Sequence, residues 1–191
     1  MKSLRLLLCA LPLALTGCST LSSINWSAAY PWNWFGSSLE VTEQGVGNIT
    51  AATALDQDAL QATLSSDYRL RSGMKTENGT IVRYFEALKG DKLALVINGD
   101  KGTVNRMAVL DDAIPTASGV KVGTPFSDLY KQAFGNCASA PSDDGVAVQC
   151  KAPDSQHISY LFTGTWSGPE GLMPSDDTLK NWKVSKIIWQ Q

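Results

Sequence analysis

The side chains able to do covalent or acid–base chemistry are few in this chain: four cysteines and one histidine among 191 residues. Acids occur as adjacent pairs at Asp111-Asp112, Asp143-Asp144 and Asp176-Asp177. A nucleophilic site needs a hydroxyl or thiol, a base in hydrogen-bond reach and a group that orients the base. His157 stands in an alternating pattern with Ile158, Tyr160 and Phe162, and no G-x-S-x-G turn supplies a nucleophile. It reads as a strand histidine, facing solvent or satisfied by hydrogen bonds. A zinc site would have to take its remaining ligands from carboxylates alone. Neighbouring acids do not share a face on a strand, and none has the D-x-D-x-D-G spacing of a calcium loop. The pairs read as loop and cap residues, with Ser175 before Asp176 and Asp177 marking a helix start. No catalytic residue and no metal ligand is assigned, and no cofactor is expected.

The cysteines say more. Lys2 and Arg5 precede an apolar run from Leu6 to Leu15, broken only by Pro12, and the run ends in small residues. That is the layout of a secretory signal peptide, and the run is about half the roughly 20 residues a membrane-spanning helix needs. Its last residues, Leu15-Thr16-Gly17-Cys18, resemble the lipobox of bacterial lipoproteins. The resemblance implies a thioether between the Cys18 thiol and diacylglycerol, cleavage between Gly17 and Cys18, and an N-acyl chain on the new amine. Each buried methylene contributes about 0.8 kcal/mol, so several chains make a durable anchor to the membrane. Ser19, where Asp would favour retention in the inner membrane, points to the outer membrane.

With Cys9 lost in the leader and Cys18 acylated, Cys137 and Cys150 remain as a pair in an oxidising compartment and are expected to form a disulfide. The stretch between them, Ala138 to Gly145, reads as polar and turn-forming.

Charge and composition fit a single domain on such an anchor. Without Lys2 and Arg5 the chain carries 14 basic against 18 acidic residues, near −4. No basic patch points to nucleic acid. The expected organisation is a signal peptide over 1–17, a lipidated tether over 18–39 and one β-rich domain over 40–191. The tether lacks charge from Ser19 to Ser38 and holds Trp26, Tyr30, Trp32, Trp34 and Phe35. These rings would lie at the bilayer headgroups, engage a partner, or pack on the domain's own surface.

Periodicity places a short helix over 55–64, then strands over 68–75, 80–88, 92–97 and 103–110. The dividers Asn78-Gly79, Lys89-Gly90-Asp91 and Asn98-Gly99-Asp100 read as hairpin turns, giving a four-stranded antiparallel meander. Val82, Tyr84 and Leu88 alternate with Ile81, Phe85 and Ala87 across its two faces. A strand over 120–122 would lead through Thr124 as cap into a helix over 125–134, with Phe126, Leu129, Tyr130 and Phe134 turned inward. Strands over 146–151, 157–165 and 183–189 complete the set. The fold expected is mainly β, an antiparallel sandwich-like domain with two or three short helices, or alternatively α+β.

Four stretches carry a wider resemblance: residues 31–36 (PWNWFG), 67–75 (DYRLRSGMK), 123–130 (GTPFSDLY) and 168–177 (GPEGLMPSDD). Together they resemble the YfeY family of enterobacterial lipoproteins, over essentially the whole chain. The resemblance implies an outer-membrane lipoprotein with a sandwich-like β domain, expressed in the sigma-E envelope-stress response. It brings no catalytic motif.

The remaining candidate is the Gly/Pro-rich segment 166–182, closed by Trp166 and Trp182 and containing Glu170 and Met173. Loops of this length are functional or pack on themselves. The function expected is a non-enzymatic binding or structural role toward another envelope protein, through a sheet edge or this segment. The alternative is a small-ligand binder or carboxylate-based hydrolase, which calls for a concave site with converging acids.

Overall fold

The computed structural model describes residues 39–77, 79–141, 146–169 and 172–191. The signal, Cys18 and the tether therefore lie outside the described residues, apart from Leu39, which is already buried in the core.

The chain enters through three two-residue strands, β1 (Val41–Thr42), β2 (Gly45–Val46) and β3 (Ile49–Thr50), which pair antiparallel in that order. Val41, Val46 and Ile49 are fully buried. Sequence periodicity cannot show strands this short. Helix α1 (Gln57–Thr63) follows, capped by Asp56, whose carboxylate accepts the Ala59 N–H at 2.9 Å. It buries Leu60 and, just beyond its end, Leu64.

Four long strands come next: β4 (Tyr68–Glu77), β5 (Thr80–Lys89), β6 (Lys92–Asp100) and β7 (Thr103–Val109). They form the expected antiparallel meander. The third divider is displaced. Asn98-Gly99-Asp100 lies within β6 as a register shift, and the turn falls at Lys101-Gly102, both at positive φ. The Gly99 backbone runs so close to the Thr103 carbonyl and the Leu55 side chain that a Cβ would collide, so glycine is what fits at this irregularity.

Between β7 and the second half of the molecule no strand forms over 120–122, and α2 is a single turn, Phe126–Leu129. Pro125 occupies its N-cap, and the Thr124 hydroxyl accepts the Lys121 N–H instead of capping the helix. Tyr130 is already extended, so the longer expected helix fails and Phe134 ends 84% exposed. Strand β8 (Cys137–Ala140), read from the sequence as turn, pairs antiparallel with β9 (Val146–Lys151), followed by β10 (Ile158–Gly164), α3 (Asp176–Leu179) and β11 (Lys183–Gln190).

All eight longer strands belong to one open antiparallel sheet, ordered β4-β5-β6-β7-β11-β10-β9-β8. Two four-stranded meanders thus meet where β7 pairs with β11, Val109 opposite Ile187 and Met107 opposite Trp189. One face of this sheet, with Phe85, Leu95, Ile97, Met107, Phe162, Ile187 and Trp189, shares a single core with the small sheet and the helices. The opposite face holds only a minor cluster of Ala147, Leu161 and Ile188. Among the described residues the fold is mainly β with three short helices, and the small sheet shares the core of the large one as a second layer.

Candidate functional site

The arrangement closest to a catalytic triad is Glu43, Ser155 and His157. The Ser155 hydroxyl donates to a Glu43 carboxylate oxygen and accepts the backbone N–H groups of His157 and Ile158 at 3.3 and 2.8 Å. The other carboxylate oxygen takes the Gln156 N–H, while the Glu43 carbonyl accepts the Trp189 indole N–H at 3.0 Å. His157 Nδ1 lies 2.9 Å from the Gln190 carbonyl, its ring tilted beside Trp189. A serine nucleophile must give its proton to an imidazole. Here it gives it to a carboxylate, and its lone pairs are spent on backbone. The cluster fastens the turn before β10 to the small sheet and to the end of β11, and His157 is satisfied by a hydrogen bond.

The acids are likewise engaged locally. Asp111 accepts the Ala113 N–H, Asp176 the Ala133 N–H at 2.7 Å, and Asp177 the Lys180 ammonium at 2.9 Å. The hydrogen bond and the positive charge of Lys180 hold the Asp177 carboxyl below the usual carboxylate range. Ser175 caps α3 through its backbone, and its hydroxyl pairs with that of Thr178 instead of with orphan N–H groups. Asp143-Asp144 lies outside the described residues. Among the described residues no three His, Cys, Asp or Glu side chains stand close enough to hold a metal ion.

Three tyrosines have hydroxyls pushed above the ordinary phenol range. For Tyr130 the cause is burial, with Tyr160 nearby, and its O–H donates to the Lys151 carbonyl at 2.5 Å. Burial also raises Tyr160, opposed by hydrogen bonds from Ser118 and Thr116. For Tyr68 burial acts together with the charges of Asp111 and Asp67. All three stay neutral and serve as polar ends of core residues.

Segment 166–182 is bound to the core by its aromatics. Trp182 is buried, its ring lying over Gly164 where no Cβ would fit, and its carbonyl accepts the Phe126 N–H at 2.8 Å. Trp166 folds over Gly168 and, like Met173, packs half-buried on the core. Glu170 lies outside the described residues. Three of the four candidates therefore share an environment, but it is core and not a cleft. Among its described residues the large apolar side chain turned outward is Leu172, 58% exposed. The bond from Ala133 to Asp176 brings the loop carrying Phe134 against the start of α3, four residues beyond Leu172. The sequence hid Phe134 because the helix that would have turned it inward stops a turn early.

Cys137 and Cys150 are disulfide-bonded, facing each other across the β8–β9 pair with Cα atoms 3.9 Å apart. Gly17 and Cys18 lie outside the described residues. On the β4–β5 hairpin a shallow depression of about 240 Å³ is lined by Ser72, Gly73, Met74 and Arg83. That is below the roughly 300–1,000 Å³ of small-molecule pockets.

The model of a family described as "Protein of unknown function (DUF1131)" matches residues 23–191. The chain belongs to that family. It is 69% identical over 191 residues to "Uncharacterized protein YfeY" of Escherichia coli (strain K12), with 100% of each chain covered. The solved structure "Crystal structure of the uncharacterized protein yfeY from Escherichia coli" superposes with a TM-score of 0.73 at 64% identity, over 80% of this chain and 99% of that one. The family resembled by the four sequence stretches is thus its own, and none of these relatives' names states an activity.

Proposed function

We propose that this chain is a lipid-anchored protein of the bacterial outer membrane, facing the periplasm, with a non-enzymatic role toward another envelope component. The observation that carries the reading is Leu15-Thr16-Gly17-Cys18 at the end of a charged and then apolar leader. The disulfide between Cys137 and Cys150 fits the oxidising compartment that such export implies. The link to the sigma-E stress response comes with the family resemblance.

A binding role is supported by how the domain spends its polar groups. Ser155, His157, Asp111, Asp176 and Asp177 serve turns, caps and a local ion pair. Two large apolar side chains, Phe134 and Leu172, face solvent on loops joined through Asp176. Exposed aromatic and aliphatic side chains of this kind anchor protein contacts.

The anchor is tested by Cys18→Ser expressed in cells fed an alkyne fatty acid. The wild type is expected to take up label and to stay with membranes in high salt, and the variant to accumulate as unlabelled precursor. Equal labelling of both, or release of the wild type by salt alone, would refute the anchor. For the binding role, a photo-crosslinker at Phe134 is expected to capture a defined envelope protein, lost on Leu172→Ser; yields that follow only neighbour abundance would remove the support.

A further inference from the structure

The large sheet ends on two unlike edges. β8 has four residues and is stapled to its neighbour, whereas β4 has ten and, among the described residues, is paired on one side only. Alternate N–H and C=O groups of a one-sided strand point outward, and proteins blunt such edges by shortening, bulging or covering them. Charge is a further such device, and β4 carries Arg69, Arg71, Lys75 and Glu77, but among the described residues it is neither short, bulged nor paired along its outer side. The ladder between β5 and β6 ends at Tyr84 opposite Asn98, next to the register shift of β6 against β7 at Asn98 and Gly99. Residues 74–77 and 80–83 are left as a two-stranded ribbon, and two strands alone are marginal in water. The ribbon's core-side face, which continues from Phe85, carries Met74 and Ile81 at 74% and 72% exposure.

We propose that β4 pairs antiparallel with β4 of a second copy, about a two-fold axis at Met74 perpendicular to the sheet, joining two eight-stranded sheets into one. Charge complementarity selects both the partner and the register. Two-fold symmetry requires one residue to face its own copy, and directly opposed side chains share a face. Centring on Arg71 or Lys75 opposes like charges at the axis; centring on Leu70 sets Arg69 against Arg71, on Ser72 sets Arg69 against Lys75, and on Gly73 sets Arg71 against Lys75. Centring on Thr76 leaves only three paired residues before the strand ends at Glu77. At Met74 the opposed pairs are Met74 with itself, Ser72 with Thr76, Gly73 with Lys75, and Arg71 with Glu77 twice. This register pairs seven residues of each copy, residues 71–77, and opposes no like charges. It also covers the exposed Met74 and supplies the ribbon's missing third strand.

Short-linker thiol crosslinking in intact membranes tests this, using the full chain with Met74→Cys or Ile81→Cys. Both side chains are similarly exposed, but in the proposed dimer the two Cα atoms at position 74 lie about 5 Å apart. Those at position 81 are separated by three strand spacings across the sheet and four residues along it, roughly 20 Å in all. A dimer band several-fold stronger for Met74→Cys is expected. Equal bands, or none at position 74, would overturn the pairing. Native mass spectrometry of the full-length protein from detergent gives an independent readout: the wild type is expected as dimer, with Met74→Lys weakened roughly tenfold or more and unfolding at the same temperature as the wild type once both are diluted to monomer. A wild type that is monomeric throughout, or a Met74→Lys dimer undiminished, would equally overturn it.

Discussion

Tyr130 and Ser155 show how this domain uses polar atoms. The Tyr130 hydroxyl reaches the Lys151 carbonyl from within the core, so Tyr130→Phe should cost about 1 kcal/mol at neutral pH. Folding raises this phenol above its ordinary value of 10.0, so its proton is bound more tightly in the folded state. Its contribution is full below pH 10 and is lost as pH rises through that value toward the folded one. Denaturant titrations across pH 8 to 12 should show stability falling above pH 10, with a shallower fall in Tyr130→Phe. Ser155→Ala leaves two backbone N–H groups and one Glu43 carboxylate oxygen without their partner, and a loss of about 1–3 kcal/mol is expected in chemical unfolding. None of this was legible in the sequence. Glu43 and Ser155 are separated by 112 positions, and no local pattern marks the pair.

At the level of elements, the sequence shows what local periodicity and turn chemistry can encode. The meander β4 to β7 was legible because each strand is long, alternating and bounded by Gly or Asn. β8 was not, because four small and polar residues become a strand only through β9 and the disulfide. The α2 region misled for a related reason: Thr124-Pro125 is a good helix entry, but one turn suffices to seat Phe126 against Phe162, and Tyr130 then extends to reach Lys151. Removing the disulfide by Cys137→Ser with Cys150→Ser should cost roughly 3 kcal/mol in the chain-entropy account, and unfolding with and without reductant should then coincide for the variant alone. Gly164→Val would drive a side chain into the Trp182 ring; a lower melting temperature with altered near-UV circular dichroism of the indoles is expected.

For the whole molecule, the two meanders joined at β7 and β11 form a framework in which Glu43, Ser155, Asp111 and Asp176 hold turns and strand ends together. The expected candidate segment, with Trp166, Met173 and Trp182, belongs to that framework, while Phe134, Leu172 and the β4 edge remain outward. Family membership and architecture could be read from sequence because the motifs are strong and the strands long. The surface at which the domain acts could not, since exposure is decided by where helices stop and how distant loops meet. The account's central claim is the anchor at Cys18, through which the domain would be held at a membrane. Intact mass spectrometry of the N-terminal peptide from membrane-purified protein tests it most directly. A chain beginning at Cys18 and carrying diacylglycerol and a third acyl chain is predicted; an unmodified Cys18, or an N-terminus cut elsewhere, would contradict it.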